Sequence, residues 1–196
     1  LNSFYFTPII SVKQPIVLMA SRLLHSKGVN EFVDAANILH SNGYQARFQL
    51  VGEPDTSNPS SITHSVLNSW KQNSIVELLG FRDDINLLMR SCFIFVLPSY
   101  YAEGLPKVLC EASAAGRPIV TTDHPGCRDA IVNGVTGILV PPRDSKSLAY
   151  AIAYLLDHQD HAISLGNAGR LHALNYFDIN KIVSSHLSIY SNLLQL

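Results

Sequence analysis

Short, nearly continuous apolar runs alternate along this chain with stretches in which apolar residues recur at helical spacing. Six of the runs predict β-strands, at residues 15–20, 47–52, 75–80, 92–98, 117–122 and 137–142. Because they are apolar at nearly every position, they are typical of strands covered on both faces. Helical spacing joins Val29, Phe32, Val33, Ala36 and Leu39, and again Ile85, Leu88 and Met89. This alternation predicts an α/β fold with a doubly wound parallel sheet of about six strands and right-handed crossovers.

The two ends of the chain have a different character. Beyond residue 143 the apolar residues keep helical spacing without strand runs, which predicts two or three closing helices. The first residues, "LNSFYFTPII", lack a strand-helix pattern and read as a linker or an arbitrary chain boundary. We therefore predict a linker from a missing N-terminal domain at 1–14, one α/β domain at 15–175 and a closing C-terminal helix at 176–196.

Composition narrows the choice of partners. Fourteen Lys and Arg against fifteen Asp and Glu give a net charge of -1, so no basic field favours nucleic acid. The three cysteines, Cys92, Cys110 and Cys127, are widely spaced beside apolar segments, which is typical of reduced core thiols in a cytosolic protein. His158 and His161 lie three apart without a third ligand nearby, so a solvated helix surface is favoured over a metal site. Small molecules and other proteins remain as ligands.

Ligands of doubly wound sheets bind beyond the carboxyl ends of the strands, and the loop after the first predicted strand is the first candidate there. Ser26 is a predicted N-cap, which would place Lys27 and Gly28 in the first turn of the next helix. Together with Arg22 and the free backbone N–H groups, Lys27 would form an anion site that suits phosphate. The alternative is that both cations are ordinary solvated side chains.

The stretch "AEGLPKVLCEA", residues 102–112, follows the fourth strand and carries two glutamates. Pro106 suits the first helical position, and the backbone N–H groups of Leu105 and Lys107 would face a second phosphate. Glu111 falls among apolar residues of the predicted helix, where an unpaired carboxylate is costly. The paired hydroxyls of a ribose would satisfy it, as in dinucleotide-binding folds. The alternative is a half-exposed Glu111 paired with a nearby arginine.

The loop after the third strand, "GFRDDI", is the third candidate. Gly80 and Phe81 could bring a backbone edge and an aromatic ring against a base, with Asp83 or Asp84 capping the next helix. A plain turn with a packed phenylalanine explains the same residues.

Taken in order, "SRLLHSKG", "LVGEPD", "LLGFRDD" and "LPSYYAEGLPKVLCEASAAGRPIVTTDHPGCRDAIVNGVTGILVPPRD" resemble the motifs of family 4 retaining glycosyltransferases. The resemblance covers roughly residues 15 to 160. The Glu-x7-Glu element, from Glu103 to Glu111, is the signature of that family. The stretch "EGLPKVLCEA" is most similar to bacterial enzymes that build lipopolysaccharide, capsule or related surface glycans. The resemblance implies the Rossmann-like, C-terminal domain of a GT-B enzyme, without the N-terminal acceptor domain.

The resemblance also implies roles for individual residues. Arg22 and Lys27 would bind the donor diphosphate. Glu103, with the backbone of Gly104 and Leu105, would face the transferred sugar and its leaving phosphate. Glu111 would hold the ribose.

The base would lie along the backbone of Phe81 and Arg82, and Lys107 would belong to the donor site as well. The implied function is binding of a nucleotide-sugar, with a UDP-sugar expected by analogy, for retaining transfer to a growing surface glycan or lipid-linked acceptor. No Asp-x-Asp motif is present, so neither a metal nor a cofactor is expected. The implied location is cytoplasmic, with the inner membrane face as a second site for the full-length enzyme.

Two other functions remain open. The chain could be the nucleotide-binding subunit of a split glycosyltransferase, inactive alone. It could also be half of a GT-B nucleotide-sugar epimerase, although the Glu-x7-Glu element favours the transferase.

Overall fold

A computed structural model describes residues 6–9, 13–102 and 104–194 of the chain. A single sheet holds six parallel strands, which confirms the predicted fold class. The strands are β1 (Ile16–Ala20), β2 (Arg47–Val51), β3 (Val76–Gly80), β4 (Ile94–Leu97), β5 (Ile119–Thr122) and β6 (Gly137–Val140). Each lies within a predicted apolar run, and their order across the sheet is β3-β2-β1-β4-β5-β6. This is the order of dinucleotide-binding folds, and it reverses between β1 and β4.

Seven α-helices connect and follow the strands in the described residues. They are α1 (Val29–Ser41), α2 (His64–Asn73), α3 (Ile85–Ser91), α4 (Lys107–Ala114), α5 (Ser145–Asp157), α6 (Gln159–Tyr176) and α7 (Ile179–Leu194). The two groups at helical spacing form α1 and α3, as predicted. None of the helices that the structure describes is both long enough and apolar enough to cross a membrane.

The core lies on both faces of the sheet, which is why the central strands lack polar alternation. In β1, Val17, Leu18 and Met19 are completely buried, and all four residues of β4 are buried as well. Helix α1 packs against α5, and α4 packs against α6. Because β1 to β4 are parallel, their carboxyl ends lie at one edge of the sheet, and the loops that follow them lie on that side.

The three final helices pack to different extents. Helices α5 and α6 bury apolar residues against the sheet and α4. In α7, by contrast, no residue is buried, and apolar side chains such as Ile182, Leu187 and Leu193 are exposed. The predicted division into linker, domain and closing helix stays a prediction.

Candidate functional site

A cleft of about 580 Å³ opens at the carboxyl ends of β1, β2 and β3, beside the point where the strand order reverses. Its volume lies within the range of small-molecule sites. Four of the residues predicted to bind ligand line it together, namely Arg22, Phe81, Arg82 and Glu111. They come from two different loops and a helix, so the fold alone brings them to one place. Most of the exposed cleft lining is apolar, with Ala20, Val51 and Val108 among the contributors.

Glu111 projects from α4 into this cleft and is half-buried. Burial raises the pKa of its carboxyl above the usual glutamate value, while the positive charge of Lys107 acts in the opposite direction. Within the described part of the chain, no arginine forms an ion pair with it. The alternative of an arginine partner is therefore not what the structure shows. A carboxylate in this position is available to accept hydrogen bonds from a ligand.

Arg22 lies at the mouth of the cleft, directly after β1. Its Nη1 lies 3.0 Å from Oδ2 of Asp55, which follows β2. The hydroxyl of Ser57 donates to Asp55 at 2.7 Å. This hydrogen bond, followed by the contact with Arg22, lowers the pKa of Asp55. Arg22 therefore forms an ion pair with a carboxylate of the same chain.

The sequence analysis gave Asp55 no role, although this residue ends the quoted stretch "LVGEPD". The available signal was its position. Asp55 follows β2 by four residues, on the same edge of the sheet as Arg22. Neighbouring parallel strands bring the residues after their carboxyl ends together, so a charge pair could have been suspected.

The predicted helix start around Ser26 is wrong. Residues His25–Lys27 form a short 3₁₀ turn, and α1 begins after Gly28, which is its N-cap residue with a φ of 77°. Ser26 Oγ is buried and makes no hydrogen bond within the described residues, so it does not cap the helix. Lys27 therefore lies before the helix rather than in its first turn. It is only 8% exposed, and its Nζ lies 5.4 Å from the ring centre of Tyr101.

The start of α4 also differs by one residue from the prediction. Pro106 is the N-cap residue, with φ −65° and ψ 116°, and Lys107 is the first helical residue. The backbone N–H of Lys107 consequently has no acceptor within the helix. Leu105 is 42% exposed, and a Cβ at Gly104 would meet no atom within 4 Å. Glu103 lies outside the described residues.

Phe81 and Arg82 form the wall of the cleft after β3. Phe81 is 71% exposed, which leaves a face of its ring available to a flat ligand. Arg82 forms two hydrogen bonds with the carboxylate of Asp84, at 2.7 and 2.5 Å. Asp84 occupies the N-cap position of α3 as predicted, but its side chain makes no capping hydrogen bond. Arg82 is therefore held along the rim by Asp84.

Comparison with known proteins gives the family. Residues 14–158 match the family described as "Glycosyl transferases group 1". The chain belongs to the group 1 glycosyl transferases. It is 39% identical over 183 residues to the N,N'-diacetylbacillosaminyl-diphospho-undecaprenol alpha-1,3-N-acetylgalactosaminyltransferase of Campylobacter jejuni. That alignment covers 93% of this chain and 46% of the relative.

The chain is also similar to a second curated glycosyltransferase and to solved structures. The capsular polysaccharide biosynthesis glycosyltransferase CapM of Staphylococcus aureus is 29% identical, over 92% of this chain and 47% of CapM. Anabaena Alr3699/HepE in complex with UDP superimposes with a TM-score of 0.79 at 26% identity, over 94% of this chain and 50% of that one. Sucrose-phosphate synthase from Thermosynechococcus elongatus gives a TM-score of 0.84 at 26% identity, over 99% and 50% of the two chains. The chain therefore spans about half the length of the relatives it matches.

No cysteine or histidine is among the described residues that line the cleft, although Cys110 is the chain neighbour of Glu111. Burial raises the pKa of Cys92 to about 12 and, together with the nearby charge of Glu111, that of Cys110 to about 11. His158 stacks on Tyr154, and the tyrosine hydroxyl lies 3.0 Å from Nδ1 of His161, on the exposed surface of α5 and α6. In the part of the chain that the structure describes, no three His, Cys, Asp or Glu side chains are grouped to hold a metal ion.

Proposed function

We propose that this chain is the donor-binding half of a retaining glycosyltransferase that uses a UDP-sugar. The observation that carries the proposal is Glu111, a half-buried carboxylate that faces an otherwise largely apolar cleft. Charge-assisted hydrogen bonds from the two ribose hydroxyls would compensate its loss of hydration. The UDP and UDP-glucose complexes of Anabaena Alr3699/HepE, a structural neighbour, support the choice of uridine.

Two other cleft residues, together with the start of α4, fit the remaining parts of such a donor. The exposed ring of Phe81 would stack on the base, since aromatic rings accept any flat base without strong sequence preference. Arg22 brings a positive charge to the part of the cleft that follows β1, where the diphosphate would lie. The N–H of Lys107, the first residue of α4, would bind a phosphate oxygen.

In the reaction that we propose, the acceptor hydroxyl attacks the anomeric carbon on the side from which the diphosphate departs. Negative charge then builds up on the leaving phosphate oxygen. Arg22, Lys27 and the backbone N–H groups at the start of α4 would stabilise that charge, and Glu103 would face the transferred sugar. These groups would serve in place of a metal ion, so added EDTA should leave UDP affinity unchanged.

We propose that the acceptor is bound by a second domain, which would correspond to the half of the relatives that this chain does not cover. The names of the relatives from Campylobacter jejuni and Staphylococcus aureus refer to an undecaprenol-linked sugar and to capsular polysaccharide. We propose, on this basis, a lipid-linked or growing surface glycan as acceptor. The chain alone should bind donor without transferring sugar to such an acceptor.

The proposal is tested by calorimetric titration of the chain with uridine, UDP and a panel of UDP-, GDP- and ADP-sugars. Glu111→Gln keeps the size of the side chain but removes a charged acceptor, so UDP and uridine affinity should both fall about tenfold or more. Glu31→Gln is the matched control, because Glu31 is also partly buried with a raised pKa but does not line the cleft. Glu103→Gln should lower turnover in the full-length enzyme while weakening UDP far less than Glu111→Gln does. Equal affinities in the Glu111 and Glu31 variants would refute the ribose assignment.

A further inference from the structure

The turn that carries Lys27 is joined to the loop after β4 by backbone contacts. The N–H of Tyr100 donates to the carbonyl of Ser26 at 2.9 Å, and the hydroxyl of Ser99 donates to the same oxygen at 3.3 Å. The two loops approach so closely that a Cβ on Gly28 would lie 2.2 Å from the carbonyl oxygen of Pro98. The positions of Lys27 and Tyr101 relative to each other are consequently fixed by the main chain.

Within this junction the Lys27 ammonium lies over the face of the Tyr101 ring, 5.4 Å from its centre. Lys27 is 8% exposed, whereas Tyr101 is 47% exposed. A poorly hydrated ammonium needs electrostatic compensation, and the negative face of an aromatic ring provides some.

We propose that Tyr101 is a positioning residue, which holds the ammonium of Lys27 in place for the donor diphosphate. This inference rests on the proposed function, since it assigns Lys27 to the phosphates. A lysine side chain has four rotatable carbon bonds and loses considerable rotamer freedom when it binds a phosphate. The ring restricts that freedom before the ligand arrives, so less is lost on binding.

The inference predicts an effect that is specific to phosphate and depends on an aromatic ring. Tyr101→Leu keeps an apolar side chain but removes the ring, and should weaken UDP about threefold to tenfold while leaving uridine affinity unchanged. Tyr101→Phe keeps the ring and should restore UDP affinity to within twofold of the original. Tyr150→Leu, a change at a 76% exposed tyrosine on α5, is the control and should affect neither ligand.

A double-mutant cycle with Lys27→Met identifies the partner of Tyr101. If the ring acts through Lys27, Tyr101→Leu should produce no further loss of UDP affinity in the Lys27→Met background. Thermal unfolding of each variant checks that the fold persists. We expect the Tyr101 variants to fold, because this side chain is half-exposed. Unchanged UDP affinity in Tyr101→Leu, an equal loss for uridine, or an undiminished effect without Lys27 would each overturn the positioning role alone. Failure of the unsubstituted chain to bind UDP would overturn the proposed function and this inference together.

Discussion

Arg22 and Asp55 are joined across the mouth of the cleft, with Nη1 of the arginine 3.0 Å from Oδ2 of the carboxylate. The arginine follows β1 and the aspartate follows β2, so the pair links two neighbouring strands at their carboxyl ends. Any diphosphate that binds Arg22 must compete with this carboxylate and also suffers its repulsion. The negative charge of Asp55 should therefore weaken binding of the diphosphate that Arg22 is proposed to bind.

Asp55→Asn should consequently increase UDP affinity by about twofold to fivefold, the effect of a weak, exposed ion pair. Uridine affinity should stay the same, and the gain should shrink as salt is added. Asp157→Asn is the control, because it makes the same change of charge at the end of α5, where the carboxylate accepts a hydrogen bond from Tyr44. Calorimetry of both variants provides the measurement. A loss of UDP affinity in Asp55→Asn would show instead that the carboxylate orients Arg22 for the ligand.

Gly28→Ala should damage both the fold and the site. The residue has a φ of 77°, and the new Cβ would lie 2.2 Å from the carbonyl oxygen of Pro98. Gly43 also has a positive φ, of 86°, but a Cβ added there would meet no atom within 4 Å. Gly43→Ala therefore measures the cost of the backbone conformation without a steric clash. We expect losses of unfolding free energy of about 1 kcal/mol at Gly43 and roughly 3 kcal/mol or more at Gly28. UDP affinity should fall only for Gly28→Ala, and equal stability losses would contradict the importance of the contact with Pro98.

The same glycine illustrates what the sequence could and could not predict. The six strands were predictable because an apolar run covered on both faces is visible residue by residue. Ser26 was expected to cap α1 because serine favours that position locally, yet Gly28 takes it since the turn must also fit against Pro98, seventy residues away. The need of Glu111 for a partner was visible from its apolar neighbours. The partners of Arg22 and Lys27 were not visible, because they depend on which loops the sheet brings together.

Arg117 should be needed for stability rather than for binding. It is 2% exposed and donates to the carbonyl oxygens of Cys92 at 3.0 Å and Ala115 at 3.1 Å, and to that of Thr7. Arg117→Met would leave these buried acceptors unpaired and should lower the free energy of unfolding by about 2–4 kcal/mol in urea titrations. UDP affinity of the folded variant should be unchanged.

Two further variants test the explanation for Arg117. Arg117→Lys should recover little stability, because a single ammonium cannot reproduce the planar fork of hydrogen bonds. Arg128→Met removes an exposed guanidinium that pairs with Asp123 and should cost less than about 0.5 kcal/mol. A similar cost for the methionine variants at Arg117 and Arg128 would show that the buried carbonyl oxygens find other donors.

Glu111→Gln should change stability and binding in opposite directions. Burial raises the pKa of Glu111 in the folded chain, so the charged form is disfavoured there relative to the unfolded chain. The favourable contribution of this group is fully present below the unfolded pKa and is lost as pH rises through the folded pKa. Near pH 7 the unliganded variant should therefore be more stable, by a few degrees in Tm at most, since about 1 kcal/mol corresponds to roughly 2–4 °C in a chain of this size.

The pH dependence separates this explanation from a general packing effect. As pH falls through the raised pKa, the advantage in Tm of Glu111→Gln should shrink, and the UDP affinity of the unsubstituted chain should fall toward that of the variant. Glu31→Gln should also gain stability near pH 7, because burial raises the pKa of Glu31, but it should bind UDP normally. Thermal unfolding and calorimetry at several pH values measure both effects. If Glu111→Gln lowers Tm near pH 7 and binds UDP normally, Glu111 is a structural carboxylate, and the sugar of the nucleotide must be held by other residues.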